Sequence, residues 1–331
     1  MKLIGHVRGI RALCEIEARG SFSAAADALG LTQSAVSQHV AALEREAGLP
    51  LVERGTRPTE LTAAGRVLVR HGSAITARLD DAEQELGELA GRRAGRLRFG
   101  SFPTALTTFV PMALARLRRE HPSIVLTVVD DHLQGLLPRL TDGTLDLAVV
   151  YDHKTLPAPV PGLHRVALFD DTFRAVLPAG HRLARRRGAP ALHDLAGEVW
   201  VGGHSGSAWF SIVRHSCRAA GFEPRTSLAS DDYRAVQAFV AAGLGVAVIP
   251  GLAVATTVPG VEVRRLRGPA PVRRISVVHQ GGRAASGPIR GGGGAVDGGS
   301  PAVLAMTDIL IDIARTVLAA ALARTGKNPA G

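Results

Sequence analysis

Gln33, Ser34, Ser37 and Gln38 lie at helical spacing, so a helix spanning them turns all four toward one side. A glutamine amide can hold adenine through two hydrogen bonds, and a serine hydroxyl serves any base edge. No apolar residue larger than Ala41 interrupts that face, while Val36, Val40 and Leu43 occupy the other. A plain solvated helix would show the same polarity, but the residues ahead of it argue for more. Ala24, Ala25, Ala26 and Ala28 are small enough for two helices to approach closely, Gly30 permits a sharp turn, and Leu29 and Leu31 add to a small core. Two helices crossing tightly, the second free to enter the major groove, make a helix-turn-helix.

The rest of the chain offers little for catalysis. Gly203-His204-Ser205-Gly206-Ser207 comes near the G-x-S-x-G nucleophile elbow but has serine at 207, where the pattern needs glycine. The run Gly291–Gly294 lacks the lysine and Ser/Thr of a phosphate-binding loop, and the 12 histidines show no metal-ligand spacing. The two cysteines, Cys14 and Cys217, fall in different predicted domains, which leaves no disulfide framework and no zinc spacing. Neither an enzyme nor a cofactor is expected.

The elements that position the polar face can be read from punctuation. Ile10, Leu13 and Cys14 form the apolar face of a first helix that Gly20 stops. Ser21 and Ser23 offer caps for a helix from Ala24 to Leu29, Gly30 ends it, and Thr32 caps the next. Residues 51–54 and 59–62, around a turn at 55–58, predict a small hairpin or wing. From Ala63 to Ala90 there is no proline. Leu68, Ile75, Ala82 and Leu89 recur at heptad spacing with Leu79 and Leu86 between them and Gly72 in one core position, which predicts a dimerising linker helix.

Beyond it, strands at 97–100, 124–129 and 145–150 alternate with helices, a βαβαβ pattern that implies a parallel sheet. A second such unit runs from Val199 to Pro250, and the strand Ile275–His279 should return to the first. The expected organisation is a winged helix-turn-helix over 1–62, a linker helix over 63–93 and a two-lobed α/β domain over 94–281. A disordered Gly-rich insertion over 282–300 and a terminal helix and tail over 301–331 complete it.

Hydrophobic residues make up 46% of the 331, enough for a core in each domain. The formal net charge of +10 fits an anionic partner such as DNA, although much of the excess lies in Arg182, Arg185, Arg186, Arg187, Arg264, Arg265, Arg267, Arg273 and Arg274, outside the DNA-reading part. No apolar run of transmembrane length occurs and the first residues do not read as a signal peptide, so a cytoplasmic protein without a membrane partner is expected.

Certain segments closely resemble the LysR-type transcriptional regulators: Gly20-Ser21-Phe22-Ser23-Ala24-Ala25-Ala26, Leu31 to Gln38, Leu43-Glu44, Gly48, Leu51-Val52-Glu53-Arg54 and Leu61-Thr62-Ala63-Ala64-Gly65. The resemblance implies a regulator that binds double-stranded promoter DNA as a homodimer or tetramer, under control of a small-molecule effector, with RNA polymerase a further candidate partner. It places Gln33, Ser34, Ser37 and Gln38 at the bases with Thr32 at the helix start, Arg54 on the phosphate backbone and Arg57 in the minor groove. The C-terminal part resembles the family's effector domain, built like a periplasmic binding protein with the ligand between two lobes. Ser101, Phe102, Pro103 and Thr104 would form one wall and Gly203, His204 and Ser205 the other, each at a helix start whose N–H groups favour an anion such as a carboxylate. Acidic Asp130, Asp131, Asp231 and Asp232 near strand ends favour an amino-bearing ligand instead. No peroxide-sensing cysteine pair is available in that domain, because only Cys217 lies there. The rival expectation is a solute-binding protein for uptake, which residues 94–281 alone would suit.

Overall fold

The structure is a computed structural model that describes residues 3–53, 55–56, 58–89, 95–153, 162–280 and 300–326. Its first helices follow the glycine punctuation. Helix α1 (Val7–Arg19) ends at Gly20, α2 (Phe22–Leu29) at Gly30 and α3 (Gln33–Ala47) at Gly48, and each glycine takes the left-handed conformation that other residues resist. Ser21 Oγ accepts from Ala24 N at 3.1 Å, so α2 starts two residues earlier than Ala24. Ile10, Leu13, Ile16, Ala25, Val36, Val40 and Leu43 close a core among the three. A Cβ on Gly9 would sit 2.7 Å from the His39 carbonyl oxygen, so α1 and α3 meet backbone to backbone. The wing is pinned by an antiparallel bridge between Val52 and Leu61.

Helix α4 (Ala63–Leu89) corrects the expected seam in part. Its first turns pack on the chain's own head: Val69 is buried, Leu68 lies against the same core, and a Cβ on Gly72 would collide with Ile10 Cγ2. Gly72 therefore serves the contact with α1, not a second chain. The free part of the stripe begins later, with Ile75, Leu79 and Leu86 exposed by 46%, 47% and 66%. The Leu89 side chain lies outside the described residues.

The rest forms two lobes. The first part runs β1 (Arg96–Ser101), α5 (Pro103–Leu106), α6 (Val110–Glu120), β2 (Val125–Asp130), α7 (Leu133–Asp142) and β3 (Leu147–Asp152). It continues as β4 (Leu163–Thr172), β5 (Arg174–Pro178), α8 (Arg182–Arg185), β6 (Val199–Gly202), α9 (Ala208–Ala219), β7 (Arg225–Ala229), α10 (Tyr233–Ala241) and β8 (Ala247–Ile249), then β9 (Val261–Arg265), β10 (Val272–Gln280) and α11 (Pro301–Gly326).

The first-lobe sheet has the order β2-β1-β3-β10-β4, with β1, β2 and β3 parallel and β10 antiparallel to both neighbours. The returning strand is thus present, as expected, but reversed in direction. The second lobe is less regular than a repeat of the first: an antiparallel trio β8-β5-β9 stands beside the parallel pair β6-β7, joined through a Trp200–Val246 bridge. Strands β4, β5 and β9 had no counterpart in the sequence reading. The chain crosses between lobes from β4 to β5 and again from β9 to β10, and the crossings are tied by Phe173 N donating to Pro271 O at 2.9 Å. Helix α11 packs Met306, Ile309 and Leu310 into the main core. The Gly-rich stretch, apart from Ser300, lies outside the described residues. Among the described residues no helix is long and apolar enough to cross a membrane.

Candidate DNA-reading helix and ligand cleft

Helix α3 turns its buried side, Val36, Val40 and Leu43, onto α1 and α2, which leaves its opposite side outward. Gln33, Ser34, Ser37 and Gln38 are exposed there. The side chains of Gln33, Ser37 and Gln38 have no hydrogen-bond partner among the described residues, so their donors and acceptors are available to another molecule. Thr32 is already engaged: its hydroxyl accepts from Ala35 N at 3.2 Å and lies 3.0 Å from Ser34 Oγ. It sets the start of α3. Near the other end of α3, Glu44 accepts from Leu51 N at 2.8 Å, which holds the wing strand against the helix. Arg54 and Arg57 lie outside the described residues.

A cavity of about 930 Å³ opens where the helices of both lobes begin. This is where an α/β architecture places ligands, beyond the carboxyl ends of its strands. The starts of α5, α7, α9 and α10 all border it. Of the expected wall, Phe102, Pro103, Thr104 and His204 line the cavity. The others do not. Ser101 is fully buried beneath the wall with its hydroxyl unpartnered, Gly203 is buried behind Trp209, and Ser205 is exposed outside it. The second-lobe helix is capped by Ser207, whose Oγ accepts from Phe210 N at 3.1 Å, so α9 begins later than a Ser205 start would give.

The floor holds a group the sequence reading passed over. Arg273 on β10 faces Asp171 on β4, and the pair meets at 3.0 Å with side chains only 3% and 4% exposed. Both stand beside the interlobe crossings at Phe173 and Pro271. Arg273 Nη2 also donates to Thr104 Oγ1 at 2.7 Å, and the guanidinium carbon lies 4.9 Å from the Phe102 ring centre and 4.7 Å from that of Tyr151. An arginine held between rings, a carboxylate and a hydroxyl is fixed in place, which offsets part of its burial cost. Asp171 Oδ1 accepts from Leu252 N at 3.1 Å, linking the pair to the loop after β8. Burial pushes the Asp171 carboxyl upward, and the positive charge of Arg273 pulls against it. In the sequence Arg273 counted only as surplus charge, because its partner is 102 residues away.

Tyr151 on β3 and Tyr233 at the start of α10 also face the cavity. Burial raises both phenols, so both stay protonated and act as donors. Among the described residues neither hydroxyl has a hydrogen-bond partner. Trp209 closes one side, its indole N–H donating to Val248 O at 2.9 Å.

Two family models match this chain. The model for the bacterial regulatory helix-turn-helix protein, lysR family, covers residues 7–66, and that for the LysR substrate binding domain covers 90–291. A probable hydrogen peroxide-inducible genes activator of Mycobacterium avium is 36% identical over 284 residues, spanning 82% of this chain and 87% of that one. An H2O2-bound cysteine mutant of Corynebacterium glutamicum OxyR superposes with a TM-score of 0.57 at 26% identity and covers 97% of this chain and 98% of that chain. Full-length CbnR complexed with its target DNA shares the fold with a TM-score of 0.66, 19% identity and coverage of 93% and 99%.

Proposed function

The chain belongs to the LysR family of transcriptional regulators, and from that premise we propose how it reads DNA and where its effector sits. It is a DNA-binding regulator, not an enzyme and not an uptake protein, and a small molecule in its second part modulates promoter binding. Gln33, Ser34, Ser37 and Gln38 supply the base contacts, with Thr32 fixing the helix that carries them. The observation that carries this reading is the exposed polar side of α3, with Gln33, Ser37 and Gln38 unpartnered among the described residues, over a core packed from three helices. Arg54 meets phosphate and Arg57 the minor groove. Such contacts hold every sequence about equally, so Arg57→Ala is expected to weaken all DNA binding and lower the salt slope by about one unit. The protein works in the cytoplasm as a dimer or higher assembly built on α4.

The effector occupies the cleft, against Phe102, Pro103, Thr104 and His204 together with Arg273 and Tyr151. A site between two lobes couples occupancy to their closure, and linkage then makes DNA affinity depend on the ligand. The experiment is capture of genomic fragments by the full-length protein followed by footprinting. Discrete protected sites of paired half-sites are expected, whereas uniform protection without preferred sites would overturn the reading.

A further inference from the structure

On the first lobe Arg273, Thr104 and Tyr151 bring three donors together at the floor of the cleft, with the more exposed Gln134 and His132 at its edge. Arg273 spends Nε and Nη2 on Asp171 and Thr104, while Nη1 has no partner among the described residues. Thr104 Oγ1 accepts from Arg273, so its own hydrogen is free to point elsewhere. The Tyr151 hydroxyl has no hydrogen-bond partner among the described residues, although the residue is only 7% exposed. These three residues line the cavity, so their open donors are available to an acceptor bound in it.

The opposite lobe adds a carboxylate beside the Tyr233 hydroxyl. Asp232 is engaged as the cap of α10, accepting from Arg234 N at 2.8 Å. Asp231 makes one long bond, Oδ1 accepting from His204 N at 3.3 Å, and has no ion-pair partner among the described residues. It stands close enough to the first lobe that its charge adds to burial in raising the Tyr151 phenol. Arg234 lies exposed beside it on the same helix start. Helix α7 adds an apolar stretch to the lining, Leu133, Leu137 and Pro138, beside Gln134.

A simple anion would satisfy the donors but would sit beside Asp231 and near Asp171. A simple cation would satisfy Asp231 and leave the first-lobe donors empty. A ligand carrying both charges answers both sets. Resting on the regulator reading above, we propose that the effector is an α-amino acid with an apolar side chain. Its carboxylate meets Arg273 Nη1, Tyr151 and Thr104, its ammonium meets Asp231, and its side chain lies along α7. The two charged ends join opposite lobes, so the intact molecule, and neither half of it, draws the cleft shut.

The test is calorimetry on full-length protein with leucine, isoleucine, methionine, phenylalanine, tyrosine and tryptophan. The best binder is then compared with its deaminated acid and its decarboxylated amine. The amino acid is expected to bind, and either truncation to weaken binding at least about tenfold, the scale of one charge-assisted contact. Asp231→Asn should weaken the amino acid to a similar degree and leave the deaminated acid unaffected. Tyr151→Phe should weaken both acids, with unchanged melting temperatures showing that each variant is folded. No binding by any of the six, or equal binding of the deaminated acid, would overturn the proposal. Site-selective DNA binding, measured on the same preparation, reports on the regulator reading separately, so the two failures are distinguishable.

Discussion

Thr104 shows how one hydroxyl at the cleft holds the group beneath it. Its oxygen takes a hydrogen from Arg273 Nη2 at 2.7 Å, deep under the cleft. Thr104→Val keeps the shape but strands that N–H, at a cost of about 1–3 kcal/mol. Denaturant melts should show the loss for Thr104→Val and its recovery in Thr104→Ser; equal melts for all three proteins would mean that the bond contributes nothing. Cys217 makes the opposite point. Relatives of this chain are named as hydrogen peroxide-inducible activators, yet burial pushes this thiol up to about 12. A thiolate fraction on the order of 10⁻⁵ at neutral pH makes a poor nucleophile. Cys14, in α1 beside Ser73 at 3.6 Å, is raised by burial too. Millimolar peroxide is therefore expected to leave the intact mass and the promoter affinity unchanged within minutes. A rapid gain of oxygen on Cys217, accompanied by altered DNA binding, would show that this chain senses by thiol chemistry.

At the scale of elements, α4 divides its labour along its length. The turns around Gly72 belong to the head, and Ile75, Leu79 and Leu86 remain exposed beyond them. Covering such a leucine stabilises by about 1.5–3 kcal/mol, enough for several in a row to hold two chains together. Leu79→Asp with Leu86→Asp puts charges into that stripe and should yield monomers in sedimentation. Unchanged sedimentation would remove α4 from the dimer interface. A second joint lies where α4 meets the first lobe. Gln280 Oε1 accepts from Arg78 Nη2 at 2.5 Å, and its Nε2 donates to the carbonyls of Leu140 and Thr141 at the end of α7. The start of α7 lines the cleft, so this helix spans from cleft to linker. Gln280→Ala should speed amide exchange in the last turn of α7 and leave the α1–α3 core unaffected; an unchanged exchange pattern would show that the clasp carries no load.

For the molecule as a whole, what could be read in advance was what local rules govern. Glycine stops, hydroxyl caps and the periodicity of Val36, Val40 and Leu43 located the reading helix, and strand–helix alternation located the first three strands. The crossings between lobes escaped notice because β4, β5 and β9 are defined by partners far along the chain. The Arg273–Asp171 pair escaped with them, since it exists only once β10 lies beside β4. The same distinction explains Gly72, whose heptad position suits a coiled coil but whose backbone is needed by Ile10. The central claim is that one end of this assembly reads base sequence through α3. The measurement that tests it most directly is an anisotropy titration of wild type and Gln38→Ala on a footprinted site and on a scrambled duplex, at several salt concentrations. The wild type is expected to prefer its site by at least about 10³-fold. Gln38→Ala should lose about 1–3 kcal/mol on that site, with scrambled binding and salt slope unchanged. Equal losses on both duplexes, or no loss on either, would contradict base reading by this helix.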